Sequence, residues 1–535
     1  MMPPALSDEL IRNLPLDLRV FSDIFQHSTA KHAKRIFLSF EDQDYTYQEF
    51  GEQTLSLLAG LKSQGIGKGS VVPIMMVNSA KYVMAWFAVH LSGATMALVN
   101  PGLKGRLLEQ LLLDCNCSMI FACKEACKNL RDIDFSLLST LKSIVVLDHV
   151  DDFEGYFKKT LKFSELLLKP DPTLMVKSNF QDVQSIFYTS GSSGPSKGVL
   201  MPNAHFFANP CTFIRLTDLK KEDVIFNALP LFHGVGSRQG VLPAFMMGAK
   251  IVLATKFSAT HFWGWVRQCN ATIALLTPSM PSVLLARESH PNEKNHSLRA
   301  IYNVPHDEEF EKRFNVSMLV SFAITEIGAV IYTPHGEKRV GAMGQAHEDW
   351  ELAIVDSHDN VLPQGQEGEL VCRPKKPYIM FTGYLNQAQA TANAFRNLWY
   401  HTSDFMVQDD KGYFFFTGRD KDRIRRRGEN ISPMEIENEI KTNPSIADCI
   451  AVGFPALDGE DEIRVFLLGQ SGQDLPPVQQ LHDWLNQKLP RSMLPRYYEY
   501  IESYPVTSTQ KIDRKALKDM EINANTVDIT LPLEL

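Results

Sequence analysis

The chain has 535 residues, 44% hydrophobic and 22% charged, with 54 Lys plus Arg against 62 Asp plus Glu. This length exceeds one ordinary domain, and the balance is globular, which excludes disordered and fibrous classes. A net charge of -8 and a pI near 6.0 argue against nucleic acid as a partner and favour small anionic ligands.

In chain order, the N-terminus MMPPALSDEL has no basic start followed by an apolar core, so no signal peptide is expected there. Residues 71–77, VVPIMMV, read as a strand, SAKYVMAWFAVHLSG as a helix, and ATMALV at 94–99 as the next strand. The alternation continues to about residue 400 and predicts an α/β fold with parallel-rich sheets. None of its apolar runs approaches the roughly 20 residues of a membrane-spanning helix. The eight cysteines form no disulfide framework, so a reducing, cytoplasmic setting is the default expectation. Cys115, Cys117, Cys123 and Cys127 are spaced too irregularly for zinc and read as buried thiols.

Residues 188–198, YTSGSSGPSKG, leave the end of a strand as a loop rich in donors. Gly191, Gly194 and Gly198 permit backbone geometries that aim amides inward. Thr189, Ser190, Ser192 and Ser193 add hydroxyls, and Lys197 adds a mobile charge. A phosphate is the natural guest, although the spacing matches neither the GxxxxGK[ST] loop nor GxGxxG.

Further along, FMVQ (405–408) and YFFFT (413–417) flank DDKG and predict a hairpin. The composition shifts near residue 419. The expected organisation is a large unit over 1–418, a junction at 419–421 and a small α+β unit over 422–535. Within the small unit, Ser432, Pro433 and Glu435 predict a capped helix running to about Thr442. IADCIAVGF and EIRVFLLG predict strands, PVQQLHDWLNQKL a helix, and the tail after Asp519 is expected to fray.

The loop does not stand alone. PLFHGVG (230–236), FAITE (322–326), YHTSD (400–404), GRDKDRI (418–424) and PVTSTQKIDR (505–514) follow it in order. Together these segments resemble the adenylate-forming superfamily of acyl-CoA synthetases, peptide-synthetase adenylation domains and firefly luciferase. RIRRRGENIS (423–432) and KFSATHFWGWVRQCNAT (256–272) are most similar to crotonobetaine/carnitine-CoA ligases.

The resemblance implies an enzyme that joins a carboxylic acid to AMP, releasing pyrophosphate, and then passes the acyl group to CoA. It implies ATP, Mg²⁺ and CoA as reactants or cofactors, and these site residues. Lys511 would bridge the carboxylate and the α-phosphate. Thr325 would touch phosphate, and Glu326 would hold Mg²⁺. Phe322 would stack on adenine, while Asp404 and Arg419 would bind ribose. His233 would stand beside the acyl site, and Lys421 would be the hinge of a mobile C-terminal domain. Arg427 and Gly428, in an arginine run, would meet the CoA nucleotide. Trp263, Trp265 or Phe322 would cage a quaternary ammonium acid.

The chain departs from the family pattern at Ala323, Ser403, Gln510 and YNVP (302–305). Three alternatives therefore stay open beside the CoA ligase: an enzyme loading a carrier protein, an acyl-adenylate oxidase of the luciferase kind, and a non-catalytic nucleotide-binding scaffold. The acid and the oligomeric state are not specified by the sequence.

Overall fold

The computed structural model describes residues 6–147, 159–189, 197–278, 280–302, 306–333, 337–419, 422, 424–426, 429–455, 461–470, 473–489, 493–507 and 511–529. Two large sheets organise the first 320 residues. In the eight-stranded sheet, Val71–Met75, Thr95–Leu98, Met119–Ala122, Ser143–Val146 and Val183–Thr189 run parallel, and Lys197–Pro202 returns antiparallel to Val183–Thr189. In the seven-stranded sheet, Val224–Asn227, Lys250–Leu253, Ile273–Leu275, Ala300–Tyr302 and Ser317–Leu319 are parallel, with only the edge strand Gln43–Thr46 antiparallel.

Helix Ala80–Leu91 touches strands of both sheets. Its apolar residues extend almost all the way round, as such a position requires. Trp86 and Phe87 are fully buried, and the Phe87 ring packs edge-on against Phe21, Phe50 and Phe245. The Ser79 hydroxyl starts the helix by accepting from the Tyr82 amide at 3.1 Å. The α/β expectation and these three early elements are borne out. Cys115, Cys117, Cys123 and Cys127 are all buried in the same core.

A smaller antiparallel hairpin, Ser321–Ile324 with Gly328–Tyr332, follows. A five-stranded antiparallel sheet then carries Trp399–Gln408 beside Phe414–Arg419. The hairpin expected at 405–417 is present but longer. Asp404, expected ahead of the first strand, lies inside it and directly opposite Arg419.

Beyond residue 419 a separate core forms around Ile424, Ile436, Ile440, Val465, Leu481 and Tyr498. It is built from Ile446–Pro455, Asp461–Gly469 and Tyr497–Tyr500, with helices Pro433–Lys441 and Val478–Asn486. Two expectations about this unit are corrected. Ser432 occupies the N-cap of Pro433–Lys441, but no side-chain cap bond forms. Its hydroxyl donates instead to the Thr417 carbonyl at 2.6 Å, tying the helix to the last strand of the large unit. Within the tail after Asp519, expected to fray, Thr526–Asp528 pairs antiparallel with Tyr497–Tyr500, and residues 530–535 lie outside the described residues. A bidentate Arg496–Asp528 pair at 2.9 and 3.0 Å holds it there.

Among the described residues, no helix is long and apolar enough to cross a membrane.

The PLFHGVG segment turns sharply into a π-helical stretch, Val235–Val241, a geometry that concentrates at functional sites. A Cβ on Gly236 would stand 2.3 Å from the Pro230 carbonyl oxygen and 2.8 Å from that of Leu229, so only glycine fits the turn. Gly236→Ala is expected to destabilise the protein by about 2–3 kcal/mol. Gly264→Ala, in a helix where a Cβ meets nothing within 4 Å, should be neutral or stabilising by up to about 1 kcal/mol. Denaturant unfolding of the two variants checks the contrast, which equal losses would refute.

Candidate functional site

The site residues come from four backbone devices, each fixed by local chemistry. Strands Val183–Thr189 and Lys197–Pro202 pair so that Thr189 faces Lys197, making the glycine loop the connection of a β-hairpin. Ser190, Gly191, Ser192, Ser193 and Gly194 lie outside the described residues. Lys197 projects its ammonium over the Tyr384 ring, 4.9 Å from the centroid.

The FAITE segment makes the second device. Ser321–Ile324 turns through 325–327 into Gly328–Tyr332. Gly328 takes φ 73°, and Asn209 Oδ1 closes the turn by accepting from the Ala329 amide at 2.8 Å. Buried His205 bonds the Thr325 carbonyl through Nε2 at 2.9 Å. The Phe381 amide donates to the Glu326 carbonyl at 2.8 Å, so both residues at the tip are clamped through their backbones. The Glu326 side chain is buried and accepts from the Tyr384 hydroxyl at 2.9 Å. Burial raises its pKa, opposed by that hydrogen bond and by the charges of Lys197 and Arg419. Phe322, half-buried on the incoming strand, has its ring centroid 6.3 Å from that of Phe416.

The third device is the strand pair that sets Asp404 against Arg419. Asp404 is buried, and Arg419 Nε donates to its Oδ1 at 2.5 Å. Arg419 is half-exposed and is held in its charged form by Asp404, against the cost of burial. Ser403, which stands where the family commonly has glycine, adopts the left-handed φ of 59°. Its amide donates to Glu369 Oε1 at 2.9 Å. The departure at this position thus keeps the glycine-like backbone at the cost of some strain.

The fourth device is the His233 turn. Asn78 Nδ2 donates to the carbonyls of Leu229 and Ala254, both at 3.0 Å, and Asn78 Oδ1 accepts from the Leu231 amide at 2.9 Å. Asn227 Nδ2 donates to the Gly236 carbonyl at 3.0 Å. These two asparagines lock the turn before and after His233. The imidazole is driven down to a pKa of about 3, first by burial and then by the positive charges of Lys511 and Arg238. It is therefore neutral near pH 7. Lys511, exposed in a turn where the Thr507 amide donates to its carbonyl at 2.7 Å, is thereby within electrostatic reach of a residue 278 positions earlier in the chain.

Of the sequence-derived residues, Lys197 and Arg419 act on Glu326, and Arg419 also pairs with Asp404; Thr325 precedes Glu326 in the same turn, and Lys511 acts on His233. Lys421, Arg427 and Gly428 lie outside the described residues. The tryptophans considered for an aromatic cage, should the acid be a quaternary ammonium, stack on other partners. Trp263 stacks on Phe314 and His296, with centroids 4.5 and 5.1 Å away, and Trp265 stacks on His261 at 5.5 Å.

Sequence reasoning missed Tyr384, His205, Tyr302 and Arg238. For Arg238 a signal existed, a single cation inside the otherwise uncharged stretch from Ala228 to Gly248. For the other three none did.

Glu326 offers one buried carboxylate beside the lysine and arginine. That donor set fits a Mg²⁺ ion bound by a single carboxylate together with nucleotide phosphates, the usual mode for this ion.

A sequence profile described as "AMP-binding enzyme" matches residues 25–385. A crotonobetaine/carnitine-CoA ligase of Salmonella paratyphi A is 27% identical over 488 residues, covering 89% of this chain and 93% of that protein. The ligase of the same description from Salmonella typhimurium is 28% identical over the same span. Among solved structures, the anthranilate CoA ligase AuaEII in complex with anthranoyl-AMP superposes with a TM-score of 0.83 at 23% identity, covering 95% of this chain and 98% of that one. A benzoate CoA ligase from Burkholderia xenovorans gives 0.82 at 18% identity, covering 94% and 100%. With the profile spanning well over half of its length, the chain belongs to the AMP-binding enzyme family.

Proposed function

We propose that this chain is an AMP-forming acid–CoA ligase, which activates a carboxylic acid with ATP and transfers the acyl group to CoA. The observation that carries the reading is the buried Glu326 carboxylate held by Tyr384, with Lys197 over the same tyrosine ring and the Arg419–Asp404 pair acting on it, while Lys511 of the C-terminal unit acts electrostatically on His233 of the large unit. The CoA ligases among the relatives and neighbours support the acceptor.

In this reading Phe322 stacks on adenine, and buried Asp404 accepts from the ribose hydroxyls with Arg419 beside it. Thr325 and the loop 190–196 receive the phosphates with Lys197. Glu326 would hold Mg²⁺, which supplies charge neutralisation on the triphosphate. Lys511 bridges the carboxylate of the acid and the α-phosphate. Two anions must meet, so fixed cations and alignment matter more than a strong base. The neutral His233 lines the acyl entrance without adding a charge. After pyrophosphate leaves, rotation at 419–421, centred on Lys421, withdraws Lys511 and brings Arg427 and Gly428 toward the CoA nucleotide.

Acid-dependent exchange of pyrophosphate into ATP tests the first half-reaction. Turnover with free CoA, compared with a phosphopantetheinylated carrier protein, tests the acceptor. Absence of exchange with every acid would leave a scaffold, and turnover with the carrier alone would replace CoA.

Lys511→Ala is expected to lower adenylation by at least about 100-fold while sparing thioester formation from supplied acyl-AMP. Equal loss in both half-reactions refutes the role. Lys421→Pro should show the reverse pattern, by fixing the backbone about which the domain turns. Unchanged overall turnover in that variant counts against domain alternation.

The pH behaviour of His233 reports on closure of the small unit. The folded pKa of about 3 lies below the ordinary 6.5, so the unfolded chain takes up the proton first. The stability this group contributes is present above about pH 6.5 and drains away as the pH falls toward 3. In Lys511→Ala the loss of a nearby cation should move the His233 midpoint upward, read by NMR on ¹³C-labelled histidine. An unmoved midpoint would place Lys511 away from His233 in solution.

A further inference from the structure

Arg238 lies in the π-helical stretch Val235–Val241 that follows the His233 turn, and it is only 2% exposed. Its Nε and Nη1 have no hydrogen-bond partner among the described residues. The surroundings are an aromatic floor and a polar rim. The guanidinium sits over the Phe187 ring, 5.0 Å from its centroid. Beside it the Tyr302 hydroxyl accepts from Gln239 Nε2 at 3.1 Å and bonds Ser321 Oγ at 2.7 Å.

An enclosed guanidinium without an acid is costly, because desolvation removes its hydration and nothing replaces it. Burial accordingly lowers its pKa to about 9, opposed by the hydroxyl of Tyr302. A fold that keeps such a charge is arranged for an anion that arrives with a ligand. Arginine suits carboxylate because its planar fork matches two oxygens at once.

Two anions reach this region, the nucleotide phosphates and the acid. The nucleotide side already has Lys197, Arg419 and Lys511. Arg238 follows His233 by five residues, and its charge and that of Lys511 act on the same imidazole. Both cations are thus near His233, and with Lys511 read as the partner of the reacting carboxylate, Arg238 is left for another part of the acid.

We propose that Arg238 anchors a second anionic group on the acid, so that the substrate is a dicarboxylic acid or an acid with an equivalent anionic tail. This rests on the ligase reading above and deepens it. It also separates the chain from the relatives named for crotonobetaine and carnitine, because a buried cation repels a trimethylammonium group, and Trp263 and Trp265 are turned to other partners.

The test is acid-dependent pyrophosphate exchange with matched pairs: succinate and butyrate, glutarate and valerate, adipate and hexanoate, with 4-(trimethylammonio)butyrate as the cationic acid. At least one diacid should exceed its monoacid by about 100-fold in kcat/KM, the scale on which a site built for a polar group rejects an analogue lacking it. The cationic acid should give no exchange. Arg238→Met should collapse the diacid-to-monoacid ratio to within about 3-fold, and Arg238→Lys should retain part of it.

Wild-type preference for a monoacid or for the ammonium acid overturns the proposal and leaves the ligase reading intact. So does an Arg238→Met variant whose ratio is unchanged while its KM for ATP rises with every acid, which would assign the guanidinium to phosphate. Absence of exchange with every acid overturns the ligase reading instead. Thermal stabilisation by the same diacids in the wild type but not in Arg238→Met then still supports the anion site, and no difference between the two proteins overturns it.

Discussion

A carboxylate and a phosphate repel each other, and cations fixed before either arrives are what allow them to meet. In the proposed function, the cations of the candidate site answer that constraint. Lys197 comes from a hairpin strand, Arg419 from an antiparallel sheet and Lys511 from a turn of the C-terminal unit. No single element could supply all three, since residues on one helix or strand share one face and one direction. Two sheet systems bring Lys197 and Arg419 near Glu326, and the second unit brings Lys511 near His233.

Fixed charges bear a desolvation cost, and the way each is met indicates its use. Arg419 is matched by Asp404 across a strand pair. Lys197 rests over the face of Tyr384, whose hydroxyl in turn holds Glu326. His233 escapes the cost by staying neutral. Arg238 has the face of Phe187 beneath it, but among the described residues its Nε and Nη1 find no hydrogen-bond partner, and that imbalance sets it apart from the many arginines that end in an ion pair.

The junction between the two units is tied by modest links. The Ser432 hydroxyl bonds the Thr417 carbonyl, and the strand at 446–455 touches helix Met280–Leu285. The small unit meanwhile keeps its own core around Ile436, Val465 and Leu481. An independent core of this kind is what the proposed rotation requires, because the energy that holds the unit together lies within it.

Local chemistry made much of this legible in the sequence. Alternating apolar runs announced parallel sheets. The glycine-rich loop could be named because its residue types suit phosphate, and the FAITE turn and Lys511 because their segments resemble those of a known family. Where reading failed, the cause was long-range. Ser432 looked like a cap, but its hydroxyl was taken by a strand carbonyl fifteen residues earlier. The tail looked loose until Arg496 found Asp528. His205, Tyr302 and Tyr384 gave no local sign, since each acts through a partner more than fifteen residues away. The sequence by itself determined the elements and the chemistry available, because periodicity and residue type are local properties. Only the tertiary structure decided which charges are buried, which are matched and that one guanidinium is not, because burial and pairing depend on distances in space rather than along the chain.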